Sequence, residues 1–473
     1  MGHLIPFFQL SKSLARKDGI RISFVSTPRN LQKLPKIPPN LSSLITLVSL
    51  PFLHDHVGDN LLPENAESST DIPIEKTQLL KKAFDGLESS LSTFLQNSNP
   101  AADWIIHDYA SHWLPTGIVE KLGIPCVYFG VFTAASLAFI GPPEVLIQNQ
   151  SMNPEDFTTV PKWVPFPSNV VYRFHELLQY NKGAPQDHDS GVPDTRRFGF
   201  TIRDSEFVAL RSCVEFESDW LTLLSELYQK PVIPLGLLPP SMKDTEDEGE
   251  DRNDNWVVIK EWLDKQREGS VVYVALGTEA ALSQEQVNEL ALGLESSKLP
   301  FFWVLRKSPG LNSAQDQLSY FLPDGFEDRI RGRGIVHMSW VPQVRILGHQ
   351  SVGGFLTHCG FNSVIEGLAF GRVLILLPML NDQGLNARLL EGKKVGLEIP
   401  RNERDGSFSS ESVAESLRVV MVEKEGEVLR NKAKEMKEVF GDIKLHESYM
   451  NSFVQFLKDH RKPTLQHINS IPN

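Results

Sequence analysis

The sequence predicts an α/β fold with two Rossmann-like, doubly wound domains. Two series of short, almost continuously apolar segments alternate with longer stretches of helical periodicity, and a polar, acidic stretch separates the two series. Apolar strands of this kind are typical of parallel sheets that helices cover on both faces. Two series of them therefore indicate two such sheets.

The predicted strands are short and rich in β-branched and aromatic residues. The first series comprises 21–27 (RISFVST), 43–50 (SLITLVSL), 104–107 (WIIH) and 125–129 (PCVYF), and the second comprises 271–276 (VVYVAL), 301–305 (FFWVL), 353–357 (GGFLT) and 373–378 (VLILLP). Short apolar runs that alternate with helical patterns are the signature of βαβ units in a parallel sheet.

A Pro- and Gly-rich segment at 231–240 and an acidic segment at 243–255 mark the boundary between the domains. Such composition cannot bury a core and indicates an exposed connection. We therefore predict an N-terminal domain over 1–240, an acidic linker over 241–255 and a C-terminal domain over 256–440. A charged helical tail over 441–473 is expected to pack back on the N-terminal domain.

Composition excludes several classes of function. The 473 residues carry a formal net charge of −12, and an acidic surface repels phosphate backbones, so nucleic acid is not an expected partner. No run of about 18 apolar residues predicts a membrane span. The three cysteines, Cys126, Cys213 and Cys359, lack metal-ligand spacing and fit a reducing compartment. We expect a cytoplasmic protein that acts as a monomer.

The segment from Trp340 to Gln383 carries the predicted chemistry. An apolar strand ends at Thr357, a turn with Gly360 follows, and Phe361 opens a helix. Free N–H groups and the positive end of the helix dipole meet at this point, and the glycine lets a ligand approach the backbone. Side chains that can add hydrogen-bond donors surround the turn: His358, Asn362 and Ser363. The segment therefore predicts a cradle for a diphosphate.

Further polar and aromatic residues flank this cradle. Glu366 lies one turn along the same helix face, where a carboxylate can accept both hydroxyls of a ribose. Trp340 offers a flat face on which a nucleobase can stack. Asp382 and Gln383 follow the strand 373–378, at the carboxyl end where open α/β sheets bind ligands. Each residue alone would be core, cap or solvated surface, so the prediction depends on their order and spacing.

That order strongly resembles the signature of the plant family of UDP-dependent glycosyltransferases. The family pattern is roughly W-x-P-Q, a His, G-F-x-T-H-C-G-W-N-S-x-x-E, a Pro and D-Q. The matching residues are Trp340, Pro342-Gln343, His349, Gly354-Phe355, Thr357-His358-Cys359-Gly360, Asn362-Ser363, Glu366, Pro378 and Asp382-Gln383. Phe361 stands where the family has Trp, and the phrase LLPMLNDQ is typical of a subgroup that adds a sugar to a sugar.

The resemblance implies the GT-B architecture, in which an acceptor-binding N-terminal domain and a UDP-sugar-binding C-terminal domain face a cleft. The residues that it assigns to the donor are Thr133, Thr278, Trp340, Val341, Gln343, His358, Gly360, Phe361, Asn362, Ser363, Glu366, Asp382 and Gln383. Trp340 would stack on uracil, and Gln343 and Glu366 would bind the ribose. Thr278 and the residues around Gly360 would hold the diphosphate. Thr133, Asp382 and Gln383 would contact the transferred sugar.

Transfer to a hydroxyl also needs a base, and histidine is the natural base near neutral pH. His3, in Gly2-His3-Leu4-Ile5-Pro6, matches the N-terminal G-H-x-x-P motif of the family, in which the His is the base. Asp108 follows the strand 104–107 and matches the Asp that orients this base and stabilises the imidazolium. The resemblance therefore names His3 and Asp108 as the catalytic pair.

The leading hypothesis is an inverting glycosyltransferase. It would move a sugar from UDP-glucose or UDP-rhamnose to a hydroxyl of a flavonoid, terpenoid or saponin, or of its glycoside. No metal or other cofactor is expected, since the helix N-terminus can stabilise the departing UDP. The alternatives are a UDP-sugar-binding protein without catalysis and a nicotinamide dehydrogenase. The second is disfavoured because no G-x-G-x-x-G follows an early strand.

The start of the chain generates a first prediction. In the family an apolar strand precedes the Gly-His motif, whereas this chain begins Met1-Gly2-His3, and we expect the chain as written to be poorly stable or inactive. Adding such a strand ahead of Met1 should raise the melting temperature and the turnover, because it adds ladder hydrogen bonds and buried apolar area. Calorimetry and turnover measurements on both chain lengths check this, and equal values would refute it.

Overall fold

The computed structural model of this chain describes residues 2–52, 62–73, 76–148, 154–183, 191–240, 250–277, 282–306 and 321–461. The strands are β1 (Ile22–Ser26), β2 (Ile45–Ser49), β3 (Ile105–His107), β4 (Cys126–Gly130), β5 (Phe207–Leu210), β6 (Val232–Pro234), β7 (Val271–Ala275), β8 (Phe301–Val304), β9 (Gly334–His337), β10 (Val352–Thr357), β11 (Val373–Leu376) and β12 (Gly396–Glu398). The α-helices are α1 (Leu4–Ala15), α2 (Pro28–Gln32), α3 (Thr77–Asp85), α4 (Leu87–Gln96), α5 (Glu120–Leu122), α6 (Ala134–Ile140), α7 (Pro143–Gln148), α8 (Phe174–Gly183), α9 (Asp194–Asp204), α10 (Val214–Tyr228), α11 (Glu250–Asp264), α12 (Gln284–Ser297), α13 (Phe326–Ile330), α14 (Gln343–Gly348), α15 (Phe361–Ala369), α16 (Gln383–Gly392), α17 (Ser410–Met421), α18 (Glu427–Phe440) and α19 (Ile443–Asp459). Strands and helices alternate, as predicted for an α/β fold.

The C-terminal sheet has the strand order of a Rossmann fold. Its six strands are all parallel and lie in the order β12-β11-β10-β7-β8-β9. Numbered from β7, this is the order 3-2-1-4-5-6, in which ligands bind where the order reverses. That point lies between β7 and β10. Every residue of β7, β8 and β11 is buried, because helices cover both faces of the sheet.

The N-terminal strands form two parallel sheets. One sheet pairs β1 with β2, and the other has the order β3-β4-β5-β6. Helix α1 packs on both. Phe8 meets Phe24 of β1 at a ring separation of 5.7 Å, and Phe7 meets Phe129 of β4 at 4.9 Å. The helix that follows His3 is therefore fixed by hydrophobic contacts to two sheets.

Four strands have no counterpart among the predicted ones: β5, β6, β9 and β12. Each has three or four residues, and β6 lies in the Pro- and Gly-rich segment attributed to the boundary. Strands this short are established by pairing with a neighbour, which a local pattern does not reveal. The strands that the sequence does predict agree with the structure within a few residues at each end.

The connection between the domains lies partly outside the described residues, which resume at Glu250. Residues 250–255, predicted as the end of the acidic linker, form the start of α11. Acidic residues are common at the start of a helix, since negative charge is favourable near a helix N-terminus.

The last helix, α19, lies on the N-terminal sheet. Phe456 and Phe453 contact Phe207 of β5 at ring separations of 4.8 and 6.3 Å, and the indole N–H of Trp104 donates to the Leu457 carbonyl at 3.1 Å. This helix joins one apolar core with α1, β4 and β5.

Within the described part of the chain, no helix is both long enough and apolar enough to cross a membrane. No group of three or more His, Cys, Asp or Glu side chains there is placed to hold a metal ion. Cys126, Cys213 and Cys359 are free, buried thiols. The expectation that activity needs no metal stays a prediction.

The packing of α19 generates a second prediction. Phe453 is fully buried between α19 and the N-terminal sheet, so Phe453→Ala should lower the free energy of unfolding by about 3–5 kcal/mol. Val428→Ala is the control, since Val428 is 53% exposed on α18 and its loss should change that energy by under about 0.5 kcal/mol. Urea denaturation measures both. Equal destabilisation by the two variants would contradict the packing.

Candidate active site

A histidine lies between two glycines where the strand order of the C-terminal sheet reverses. His358 follows β10, and Gly277 follows β7. A Cβ atom on Gly277 would lie 2.6 Å from His358 Nε2, and one on Gly360 would lie 2.5 Å from it, so neither position accepts a side chain without a shift. Burial lowers the pKa of His358 to about 4. The imidazole is therefore neutral at pH 7 and offers a ligand a dipole.

The turn after His358 is strained and braced. Cys359 has a φ of 66°, in the left-handed region that non-glycine residues rarely adopt. Its carbonyl accepts a hydrogen bond from Asn386 Nδ2 at 3.1 Å, and its N–H donates to Thr357 Oγ1 at 3.3 Å. These bonds direct the chain into α15 with its first turn facing the cleft.

The first turn of α15 presents free backbone donors. Gly360 is the N-cap and supplies no side-chain hydrogen bond, so the N–H groups of residues 361–363 have no acceptor within the helix. Asn362 and Ser363 line the cleft. The Phe361 ring is 6% exposed and belongs to the domain core, so this residue contributes mainly its backbone. The arrangement suits an anionic ligand.

The carboxylate of Glu366 is held by a glutamine. Gln343 Nε2 donates to Glu366 Oε2 at 2.6 Å and to Ser363 Oγ at 3.3 Å, while the Tyr273 hydroxyl donates to Gln343 Oε1 at 3.1 Å. Burial raises the pKa of Glu366, and the hydrogen bond from Gln343 and the charge of Arg211 oppose that rise. Tyr273 is a site residue that the sequence did not predict, because a strand tyrosine usually belongs to the core.

Trp340 and Val341 lie at the edge of the same cleft. Trp340 is half-buried and lines the cleft beyond the end of β9. The Val341 side chain is 5% exposed, and its carbonyl accepts from the Gln343 N–H at 2.9 Å. Val341 therefore supports the residue that orients Glu366.

Asp382 and Gln383 brace the loop in which they lie. Gln383 Oε1 accepts from the N–H groups of Met379 and Leu380 at 2.9 and 2.8 Å, which leaves the amide nitrogen as the part of this side chain that can serve a ligand. Asp382 Oδ2 accepts from Asn386 Nδ2 at 2.9 Å. Both side chains line the cleft.

The two threonines assigned to the donor stand apart from this group. Thr278 lies outside the described residues. Thr133 is 1% exposed and does not line the cleft; it caps α6 and donates to Asn386 Oδ1 at 2.9 Å. The structure thus differs from the expected sugar contact, because the hydroxyl is occupied by a buried bond between the domains. Asn386, a second residue that the sequence did not assign, connects Thr133 to Cys359 and Asp382.

His3 and Asp108 form a pair at the other side of the cleft. His3 Nδ1 lies 2.7 Å from Asp108 Oδ2, and Asp108 Oδ1 accepts from the Tyr109 N–H at 2.7 Å. Burial lowers the pKa of His3, but the charge and hydrogen bond of Asp108 outweigh it, so the pKa lies above its ordinary value of 6.5. Because Nδ1 faces the carboxylate, Nε2 is the nitrogen that can take a proton from a substrate.

The pair is joined to the donor side and to an aromatic wall. Asn362 Nδ2 donates to the carbonyl of Gly2, next to His3, at 2.8 Å. The imidazole of His3 lies 5.2 Å from the Phe132 ring and 5.8 Å from the Tyr109 ring, and Tyr109 stacks on Phe198 at 4.1 Å. The cleft opens into a larger cavity of about 3270 Å³ that extends between the two N-terminal sheets as far as α19.

Residues 221–444 match the family model described as UDP-glucoronosyl and UDP-glucosyl transferase. The chain is also 54% identical over 458 residues to UDP-glycosyltransferase 91C1 of Arabidopsis thaliana, covering 97% of this chain and 94% of the relative. This chain belongs to the plant UDP-glycosyltransferase family. The UDP-glycosyltransferase is 32% identical over 461 residues to anthocyanidin-3-O-glucoside rhamnosyltransferase of Petunia hybrida, covering 96% of this chain and 93% of that protein.

A solved structure shares the fold. It is that of UGT2 from Phytolacca americana complexed with UDP-2fluoro-glucose and pterostilbene; it matches 96% of this chain and 97% of its own with a TM-score of 0.72 and 26% identity. The GT-B fold and the plant UDP-glycosyltransferase family are confirmed as the resemblance predicted.

The His3–Asp108 contact generates a third prediction. Because the folded-state pKa of His3 is raised, the pair stabilises the UDP-glycosyltransferase fully below pH 6.5, and this stabilisation is lost as the pH rises through the folded-state pKa. Asp108→Asn should therefore reduce stability more at pH 5.5 than at pH 9, and should lower the pKa of His3 below 6.5. Urea denaturation at both pH values and NMR titration of labelled histidines measure this. An unchanged titration midpoint would contradict the pairing.

Proposed function

We propose that this UDP-glycosyltransferase is an inverting enzyme that moves a sugar from UDP-glucose or UDP-rhamnose to a hydroxyl of a small plant metabolite or its glycoside. The observation that carries the proposal is the 2.7 Å contact between His3 and Asp108 at a cleft whose opposite wall is the start of α15. A base on one wall and a diphosphate cradle on the other can act together on a UDP-sugar and an acceptor hydroxyl that lie between them.

The base step follows from the orientation of His3. Its Nε2 takes the proton of the acceptor hydroxyl, and the acceptor oxygen attacks the anomeric carbon from the side opposite to UDP. Asp108 stabilises the imidazolium that forms and keeps the ring oriented. A raised pKa makes His3 a stronger base once it is deprotonated. A single displacement of this kind inverts the configuration of the sugar.

The leaving group develops negative charge on the diphosphate. The free N–H groups of residues 361–363 and the dipole of α15 can stabilise this charge, with Asn362, Ser363 and the neutral His358 as side-chain donors. In this proposal Trp340 stacks on the uracil, Glu366 binds the ribose hydroxyls, and Asp382 and Gln383 hold the sugar.

The acceptor would lie on the aromatic wall beside His3. Tyr109, Phe132 and Phe198 offer ring faces and edges to a flat or polycyclic apolar molecule. The relative from Petunia hybrida is named for rhamnosyl transfer to an anthocyanidin glucoside, which supports a glycoside acceptor and UDP-rhamnose as a donor to test. A screen of UDP-glucose, UDP-rhamnose and UDP-xylose against flavonoid and saponin glycosides and their aglycones, read by product mass, tests donor and acceptor together.

We also propose that the enzyme is a cytoplasmic monomer that needs no metal. Three free thiols support a reducing compartment, and dipoles of the helix N-terminus can take the role of a cation at the leaving group. Light scattering on the purified protein and turnover in the presence of a chelator test the last two points. A dimer in solution or the loss of turnover with the chelator would overturn them.

The base generates a fourth prediction. His3→Ala should lower kcat by roughly 10²–10⁴-fold, because proton removal from the acceptor is lost, and should leave the affinity for UDP within about twofold. Turnover and calorimetric titration with UDP measure these two effects.

The matched control is His349→Ala. His349 also pairs with a carboxylate, with Nε2 at 3.0 Å from Asp264 Oδ1, but it does not line the cleft. Turnover should survive this change. Full activity of His3→Ala would exclude His3 as the base, whereas UDP binding by a wild-type protein that transfers no sugar would favour a binding protein without catalysis.

A further inference from the structure

Arg211 carries a buried guanidinium at the boundary between the two domains. It follows β5 of the N-terminal sheet and is 2% exposed. Its Nε donates to the Leu237 carbonyl at 2.7 Å, and Nη2 donates to Gln9 Oε1 at 3.1 Å. The remaining nitrogen, Nη1, donates across the boundary to Oδ1 of Asn362 in the first turn of α15.

The hydrogen bonds of this cation go to neutral oxygens. Its described acceptors are carbonyl or amide oxygens of Gln9, Leu237, Leu238 and Asn362. Burial lowers the pKa of Arg211 to about 10, so the group stays charged at neutral pH, and the charge of Glu366 opposes that fall. A buried charge held only by neutral dipoles is costly, and this one lies directly behind the turn that would receive a diphosphate.

The Asn362 amide is held at its oxygen end by the guanidinium of Arg211 and at its nitrogen end by the Gly2 carbonyl. Arginine can only donate hydrogen bonds, so it requires Oδ1 of Asn362 on its side. The amide nitrogen must then point the other way, and Nδ2 donates to the Gly2 carbonyl at 2.8 Å. The guanidinium at one end and the Gly2 carbonyl at the other therefore accept the same single orientation of the amide, and Arg211 anchors its oxygen end.

The Gly2 carbonyl connects this amide to the base. Gly2 and His3 share a peptide bond, and the His3 carbonyl accepts from the Phe7 N–H at 3.2 Å as α1 begins. Asn362 therefore holds the backbone immediately before His3, while its own backbone belongs to the free first turn of α15. One side chain joins the two walls of the cleft.

We propose that Arg211 is a positioning residue for sugar transfer: by fixing the Asn362 amide, it holds the start of α15 and the backbone of His3 in one relative arrangement. This role rests on the proposed function, because it assigns Arg211 to the distance between the base and the UDP-sugar. Arg211 does not line the cleft, and its hydrogen bond to the site goes to Asn362.

Arg372 provides a comparison, since it is a half-buried arginine whose charge is also partly removed from water. Burial lowers the pKa of Arg372 to about 10 as well, and its guanidinium donates to the carbonyls of Leu347 and His349 at 2.7 and 3.2 Å. All of these contacts lie within the C-terminal domain. Loss of the arginine should cost stability at either position, but of the two only Arg211 contacts Asn362.

The test compares Arg211→Met, Arg211→Lys and Arg372→Met. Arg211→Met should lower kcat by about 10²-fold, since displacement of reacting groups by about 1 Å costs that much, and should raise the KM for the UDP-sugar several-fold while the acceptor KM stays within about twofold. Arg211→Lys keeps one donor and should recover part of kcat. Arg372→Met should leave both kinetic constants near the wild-type values.

A double-mutant cycle separates positioning from a structural effect. Asn362→Leu removes both the acceptor for Arg211 and the donor to Gly2 and adds no charge. If Arg211 acts through Asn362, the double variant should be no slower than the slower single variant, whereas independent effects multiply. Multiplied losses, or equal kinetic losses for Arg211→Met and Arg372→Met, would overturn the proposal. If Arg211→Met does not fold, Arg211→Lys replaces it in the cycle with the same criterion.

Failure of the proposed function gives a different result. Wild-type protein that transfers no sugar in the donor-by-acceptor screen would contradict that function and leave UDP binding as the readout. Calorimetric titration with UDP should then show weaker binding for Arg211→Met and unchanged binding for Arg372→Met. Equal affinity of the wild type and Arg211→Met would overturn the role of Arg211 by itself.

Discussion

The crevice between the carboxyl ends of β7 and β10 is the constraint on which the rest of the site depends. The strand order reverses there, so the loops after these strands diverge and leave room for a ligand. Thr357 pairs with Ala275 at the end of the two strands, and the turn at His358 follows directly. Because helices pack on both faces of these strands, a slip of register would exchange the side chains of two packed faces, so the sheet core fixes where α15 begins.

The sequence predicts the C-terminal sheet well because buried parallel strands are continuous apolar runs, as in β7, β8 and β11. It does not predict β6 or β12, which are three residues long and depend on a neighbouring strand. It also does not predict that the N-terminal strands form two sheets, since pairing between distant segments leaves no local pattern. The start of α11 is not predicted for another reason: acidic residues are as typical of a helix start as of a linker.

The residues of the site also fall into those that the sequence predicts and those that it does not. Trp340, His358, Asn362 and Glu366 are predictable because one contiguous segment carries them at fixed spacing. Tyr273, Asn386 and Arg211 act through contacts with residues far along the chain, which only the fold brings close. A signal for Arg211 exists, since a lone charge ends the apolar run of β5, but a single sequence does not tell whether such a charge meets solvent or a buried partner.

The burial of His358 has a consequence for how this cleft attracts its ligand. The side chains around the turn, His358, Asn362 and Ser363, are all uncharged near neutral pH, and the nearby guanidinium of Arg211 is shielded from water. Dipoles act over short range and gather few counterions, unlike a cluster of exposed lysines. Association with a nucleotide should therefore depend only weakly on ionic strength. Recognition should depend on contacts within the site, because an acidic protein does not attract an anionic ligand over long range.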